Sequence, residues 1–229
     1  MHVSELWRYP VKSMRGERLD AAEIRSDGIV GDRIVHVRES SGRVATSRFR
    51  PGLLGLAGTL GPDGEPLVDG VVWSEPSVLE RVRAVTEPQA ELGRFEGEDV
   101  GQRFDVLPLT VLTESMARAV GYDHRRFRPN LVIADAPEGA ELRWAGLGLR
   151  IGEVLIGMRN RRSRCVMTTF DPDTLEQDPM VLLHVVRSFD GRVALDCFVA
   201  EPGVVRLGDP VEVVELSGLA VPGSDPRGV

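Results

Sequence analysis

Short apolar runs rich in β-branched and aliphatic residues recur along the chain. They fall at Ile34–Arg38, Val68–Trp73, Leu107–Leu112, Leu131–Ala134, Leu149–Met158, Val166–Phe170, Val193–Val199 and Val211–Glu215, and each predicts a strand. Glycine and proline punctuate them at Gly28, Gly31, Pro51-Gly52, Gly61-Pro62-Asp63-Gly64, Gly146 and Pro202-Gly203. Short strands with frequent turns point to a mostly β barrel or sandwich, not to repeating βαβ units. Three segments break the strand pattern. Val78, Leu79, Val82 and Val85 recur at helical spacing and predict a helix over Pro76–Thr86. Thr113 as N-cap, Glu114 in the first turn and Gly121 at the end frame a second helix. Asp178 as N-cap with Pro179 at the first helical position opens a third, running through Leu183 and Val186. The polar, glycine-containing stretch Gly93–Gly101 is the predicted boundary between two units, 1–95 and 96–216. The Gly-, Pro- and Ser-rich tail, 217–229, is predicted to be disordered.

The 229 residues are enough for one large β domain or two small ones, each with a real core. At 42% apolar and 28% charged, the composition is that of an ordinary soluble protein. No apolar run approaches the ~18 residues a spanning helix needs. The opening Met1-His2-Val3-Ser4-Glu5-Leu6-Trp7 has no basic segment followed by an apolar one, so the expected location is cytoplasmic, with no membrane partner. A net charge of −7 argues against a nucleic-acid partner, which would call for a basic surface. Arginine nevertheless gathers at Arg125-Arg126-Phe127-Arg128 and Arg159–Arg164, and Lys12 is the single lysine. Cys165 and Cys197 are expected to be free thiols in a cytosolic chain. The four scattered histidines and the lack of a CxxC or HExxH pattern exclude a conventional zinc cage.

Candidate chemistry centres on Cys165, which follows the arginine run and precedes Val166-Met167-Thr168-Thr169-Phe170-Asp171-Pro172. Neighbouring guanidinium groups favour a thiolate, the better nucleophile and metal ligand. The competing reading is a small buried hydrophobe. Cys197 illustrates that case, since it shares one strand face with Val193, Leu195 and Val199. Arg128-Pro129-Asn130 at the mouth of a strand can clamp a phosphate or a heterocycle edge, or be no more than a basic turn with a capping amide. Lys12-Ser13, after the extended Tyr9-Pro10-Val11, can grip an anion or stand free in a turn. Asp32-Arg33 reads equally as a structural ion pair, and the helix start at Thr113 as an anion site or as an ordinary cap.

The order of these features resembles the MOSC family. Leu6-Trp7-Arg8-Tyr9-Pro10-Val11-Lys12-Ser13 resembles the opening of the N-terminal β-barrel module that accompanies MOSC domains. Gly31-Asp32-Arg33, Thr113-Glu114-Ser115, Phe127-Arg128-Pro129-Asn130, Ser163-Arg164-Cys165-Val166-Met167-Thr168-Thr169-Phe170-Asp171-Pro172 and Gly208-Asp209-Pro210-Val211 follow in the family's order. The nearest pattern is that of the amidoxime-reducing-component branch. The resemblance implies a MOSC β-barrel core, a smaller N-terminal β module and a few short helices. It also implies a molybdenum cofactor (molybdenum–molybdopterin) whose metal takes Cys165 as its protein ligand. Lys12, Ser13, Arg33, Thr113, Glu114, Arg128, Asn130, Ser163 and Arg164 are the implied cofactor-binding residues. A soft thiolate suits a metal already held by dithiolene sulfur. The implied activity is two-electron reduction of small N-hydroxylated compounds, with Cys165 the catalytic residue; a cofactor carrier or sulfur-relay protein is the alternative. The sequence has no C-x4-C-x2-C cluster for an iron–sulfur centre, so electrons are expected from a separate ferredoxin- or flavoprotein-type donor.

Overall fold

The computed structural model describes residues 1–96 and 101–216. The predicted tail, and residues 97–100 of the predicted boundary, lie outside them. The architecture is mostly β with three short helices, as expected. Its backbone is an eight-stranded sheet. In spatial order the strands are Glu212–Glu215, Leu147–Ile151, Val154–Ser163, Arg192–Glu201, Leu109–Thr113, Leu131–Ala134, His2–Arg8 and Glu17–Leu19. All neighbours are antiparallel except Leu109–Thr113 with Leu131–Ala134, which run parallel. That exception follows from the chain between them: helix α2 (Glu114–Val120) carries it back to the same end of the sheet.

The first strand of the chain therefore lies against a strand some 130 residues later, with Leu6 opposite Leu131 and Val3 opposite Ile133. Its inward residues Val3 and Leu6 join Leu109, Val111, Ile133, Ile156 and Leu195 in the main core, all fully buried. A second core draws only on residues 11 to 90, including Val11, Met14, Val35, Val37, Leu53, Val78 and Val82. It packs helix α1 (Pro76–Val85) against small two- and three-stranded sheets. Helices α2 and α3 (Pro179–Phe189) cover a third cluster around Leu112, Met116, Phe127, Val185 and Val193.

Local sequence explains the helix ends. The Thr113 hydroxyl accepts from the Met116 amide, and Gly121 closes α2 with φ 74°. The Asp178 carboxylate accepts from Met180 at the start of α3, with Pro179 first in the helix. Three strand expectations are corrected. Val68–Trp73 is a hairpin, Pro66–Val68 against Val71–Val72, because Asp69-Gly70 adopts two positive φ angles, 49° and 79°. Leu149–Met158 is likewise split, by Gly152 at φ 57°. Val166–Phe170 is not a strand: Val166–Thr169 forms a 3-10 turn. Its threonine hydroxyls bond back to the chain, Thr168 to the Cys165 carbonyl at 2.9 Å and Thr169 to that of Val166 at 2.7 Å.

Candidate functional site

A narrow crevice opens between the second core and the edge of the large sheet, lined in part by Lys12, Ser13, Arg33, Arg128, Arg162 and Arg164. Residues far apart in sequence meet here because the strand His2–Arg8 leaves the large sheet and delivers Pro10–Ser13 to the second core. There the Lys12 amide donates to the Val35 carbonyl at 2.8 Å. Arg128 arrives from the other side, just before the strand Leu131–Ala134, and Arg162 and Arg164 from the end of Val154–Ser163.

Three lining residues, Ser13, Arg33 and Arg128, hold left-handed backbone conformations with φ 73°, 50° and 49°. Such conformations cost side-chain-bearing residues of order 1–3 kcal/mol and gather at ligand clamps. Arg33 and Arg128 both approach the ring of buried Tyr9, at 4.9 and 4.1 Å from its centre. The Tyr9 hydroxyl donates to the Pro129 carbonyl at 3.0 Å, and burial pushes its pKa up to about 12.

The cations divide into two kinds. Lys12 pairs with Asp105 at 2.8 Å, Arg33 with Asp32, and Arg162 with Asp196. Burial lowers the Lys12 pKa against the opposing pull of Asp105, while Asp105, raised by burial, is brought down overall by Lys12. Arg128 and Arg164 have no carboxylate partner among the described residues. Arg128 donates one N–H to the Met14 carbonyl at 2.7 Å, and Arg164 one to that of Val193 at 2.8 Å. In each, Nη2 is buried without any partner. Burial brings Arg128 down to about 10 and Arg164 to about 9, the latter helped by repulsion from Arg162. Guanidinium groups keep their proton at neutral pH, so Arg128 is a buried cation and Arg164 a half-buried one with a buried Nη2, each carried at an energetic cost. Nearby carboxylates, Asp32 and Asp105 for Arg128 and Asp196 and Glu141 for Arg164, offset part of that cost without pairing directly.

The remaining residues singled out in the sequence have other placements. Cys165 is half-buried, a free thiol directly after Arg164 and two residues before Met167, which lines the crevice. Cys197 is fully buried in the main core, where burial pushes its thiol pKa well up. Ser163 is exposed at the end of its strand. Asn130 is fully buried and occupied internally. Its side-chain oxygen accepts from the Thr110 amide at 3.1 Å and its amide donates to the Trp7 carbonyl at 3.2 Å, tying three strands together. Thr113 is likewise consumed, its hydroxyl capping α2 and its amide donating to Glu141. Glu114 pairs with Arg118 at 3.4 Å on the half-exposed face of α2. The crevice thus gathers Lys12, Ser13, Arg33, Arg128 and Arg164; Cys165 follows Arg164 in the chain but does not itself line the crevice, and neither do Ser163, Asn130, Thr113 or Glu114.

Sequence reasoning missed three participants. Arg162 sits in the arginine run but was not separated from its neighbours, and Asp105 had no motif around it. Glu141, 1% exposed, accepts the amides of Thr113 at 2.7 Å and Ala194 at 3.0 Å, bridging two strands where Ala194 turns left-handed. Burial pushes it up to about 7 in spite of those two donors.

The protein is thus mostly β, with a crevice lined by several cations and a half-buried cysteine next to one of them in the chain. Comparison with known proteins supplies the family. The sequence matches the MOSC domain over residues 109–212 and the MOSC N-terminal beta barrel domain over residues 1–76, so the chain belongs to the MOSC-domain proteins that carry that module. It is 26% identical to human mitochondrial amidoxime-reducing component 1, covering 91% of this chain and 82% of that one. The mouse protein of the same name is 25% identical over 91% and 81%. Among solved structures, the YuaD protein of Bacillus subtilis superposes with a TM-score of 0.52 at 13% identity, over 93% of this chain and 95% of that one, a likeness of fold. No helix among the described residues is long and apolar enough to cross a membrane.

Proposed function

We propose that this protein is a molybdenum-cofactor-dependent reductase of N-hydroxylated compounds, fed by a separate electron-donor protein. One observation carries the reading: buried Arg128 and half-buried Arg164 each have a buried, unpartnered N–H group beside a crevice in a chain of net charge −7. Buried charges left unpaired are costly, and a phosphate-bearing cofactor supplies the missing partner. The donor set fits that group. Lys12, Arg33 and Arg162, each paired with a carboxylate, line the crevice with them, Ser13 offers a hydroxyl, and Cys165 offers a soft sulfur directly after Arg164 in the chain.

When bound, the cofactor supplies a metal centre that passes electrons two at a time. The overall conversion breaks the N–O bond of the substrate, takes up two electrons and two protons, and releases water. The donor is of the ferredoxin or flavoprotein class. The chain's own residues bind and orient. Arg128 and Arg164 would hold the anionic end, Tyr9 holds Arg33 and Arg128 in place through its ring, and Cys165 would be the thiolate ligand of the metal. Asn130 acts from behind, tying the turn that carries Arg128 to the strands Leu109–Thr113 and His2–Arg8, while Thr113 caps α2. Ser163 and Glu114 are left with peripheral roles at most. The crevice has about 50 Å³ of free space, room for a small anionic group such as the cofactor's phosphate. A second cavity of about 340 Å³ adjoins it, sharing Arg128 and Met167.

The relatives named amidoxime-reducing components support N-reduction as the activity. The test is molybdenum and pterin content of wild type and Cys165→Ser, purified from a host that makes the cofactor, together with benzamidoxime reduction by an artificial donor. We expect wild type to hold both and to turn over, and Cys165→Ser to lose roughly tenfold or more of its molybdenum. Unchanged molybdenum in Cys165→Ser sinks the assignment of the ligand. Full loading and exchange without any N-reduction would favour the carrier role.

A further inference from the structure

The second cavity has a composition of its own. Trp7, Tyr9 and Phe170 give it flat aromatic walls, and Leu54, Ala57 and Met167 add apolar surface. At about 340 Å³ it is of small-molecule size. Four arginines, Arg15, Arg125, Arg126 and Arg128, also line it, against one carboxylate, Asp173. Two of the four are neutralised. Arg125 pairs with Asp123 and Asp173 at 2.7 and 2.6 Å, and Arg126 with Asp171 at 2.9 Å. Arg128 faces the crevice as well. Arg15 remains: it is half-buried, and its side chain donates only to the Gly55 carbonyl at 3.2 Å. Its Nε is buried without a partner, and so is that of Arg126.

An aromatic-walled cavity with an uncompensated guanidinium selects a planar ring carrying a negative charge: the ring is favoured by the walls, the charge by a charge-assisted hydrogen bond. We infer that this cavity is the substrate pocket and that Arg15 makes it prefer aromatic N-hydroxylated compounds bearing an anionic substituent, a carboxylate or a phosphonate, over neutral ones. This rests on the N-reductase reading for what happens to the ligand, but not for whether it binds.

The test uses the cofactor-loaded full-length protein with three probes: benzamidoxime, 4-carboxybenzamidoxime and 4-phosphonobenzamidoxime. Calorimetric Kd values are measured first, then KM and kcat with an artificial donor. We expect at least one of the anionic probes to bind on the order of tenfold more tightly than benzamidoxime, with the difference lying in KM and fading as salt is raised. In Arg15→Gln the preference should fall towards one, while Arg81→Gln, a surface change, keeps it. Equal affinities for all three probes in wild type overturn the proposal, and so does a preference that survives in Arg15→Gln. The wild-type comparison decides even if Arg15→Gln fails to fold. Preferential binding without reduction of any probe would uphold the pocket and overturn the N-reductase reading. Reduction without preference would do the reverse.

Discussion

Arg125 and Arg128 stand three residues apart on one short turn and meet opposite fates. Arg125 lies at the surface, forked between Asp123 and Asp173, and those carboxylates raise its pKa. Arg128 is buried, stacked on Tyr9, bonded to one carbonyl, and its pKa is lowered by burial. The first has every partner it needs within the chain. The second has the shape and the charge of half an interaction. On the proposed reading, a binding residue is told apart from a structural one by what it lacks, not by its type or its place in a motif.

The contrast breaks most sharply if Arg128 proves to be a strut of the fold. We expect Arg128→Gln and Arg164→Gln to lose the cofactor, since truncating one partner of a buried charged contact costs about 2–5 kcal/mol of binding. The cofactor-free protein should tolerate the same changes, because replacing an uncompensated buried charge is often neutral or stabilising. Pterin content after gel filtration checks the first expectation and urea midpoints of the cofactor-free variants the second. A large loss of midpoint in cofactor-free Arg128→Gln would dissolve the distinction between the two arginines.

Glu141 extends the contrast to a buried anion. Its folded pKa of about 7 lies above the ordinary 4.5, so the protonated form is the one that folding favours. The stability it contributes is complete below about pH 4.5 and is lost as pH rises through 7, on the order of 3 kcal/mol. Urea unfolding across that window should show the decline, and Glu141→Gln should flatten it. An unchanged slope in Glu141→Gln would place the titration elsewhere.

How much of this was legible in the sequence follows the range of the interactions. Helices α2 and α3 are readable from their caps, because Thr113, Gly121, Asp178 and Pro179 act on groups within four residues of themselves. Strand existence was readable, but the tight turns were not weighed heavily enough. Asp69-Gly70 and Gly152 cut two apparent strands into hairpins. His2–Arg8 passed unnoticed as a strand since its pattern, with only Val3 and Leu6 buried, is made meaningful by a partner strand far along the chain. The crevice was legible only through family order: Lys12, Arg33, Arg128 and Arg164 carry no local sign of converging. Asn130 and Thr113 belong to the same motifs yet point their hydrogen bonds inward, which no spacing reveals. A direct check on the misread turns is Gly70→Ala and Gly152→Ala. An added methyl meets nothing within 4 Å at either site, so the cost is conformational, about 1–2 kcal/mol each, in thermal or urea unfolding. No loss would mean that the hairpins do not need the left-handed backbone.

The smallest effect belongs to the better-connected arginine. Arg125 makes two charged contacts with Asp173, at 3.0 and 2.6 Å, yet that partner is largely exposed. Exposed pairs of this kind are worth roughly 0–1 kcal/mol, because water and salt already satisfy both ends. Arg125→Gln should therefore lower the urea midpoint slightly. The difference should vanish in about 1 M salt, where screening reaches within ~3 Å. Cofactor content should not change. If it falls as far as in Arg128→Gln, then the positive field of the whole turn holds the anion, and the lone unpartnered N–H is not what marks the site.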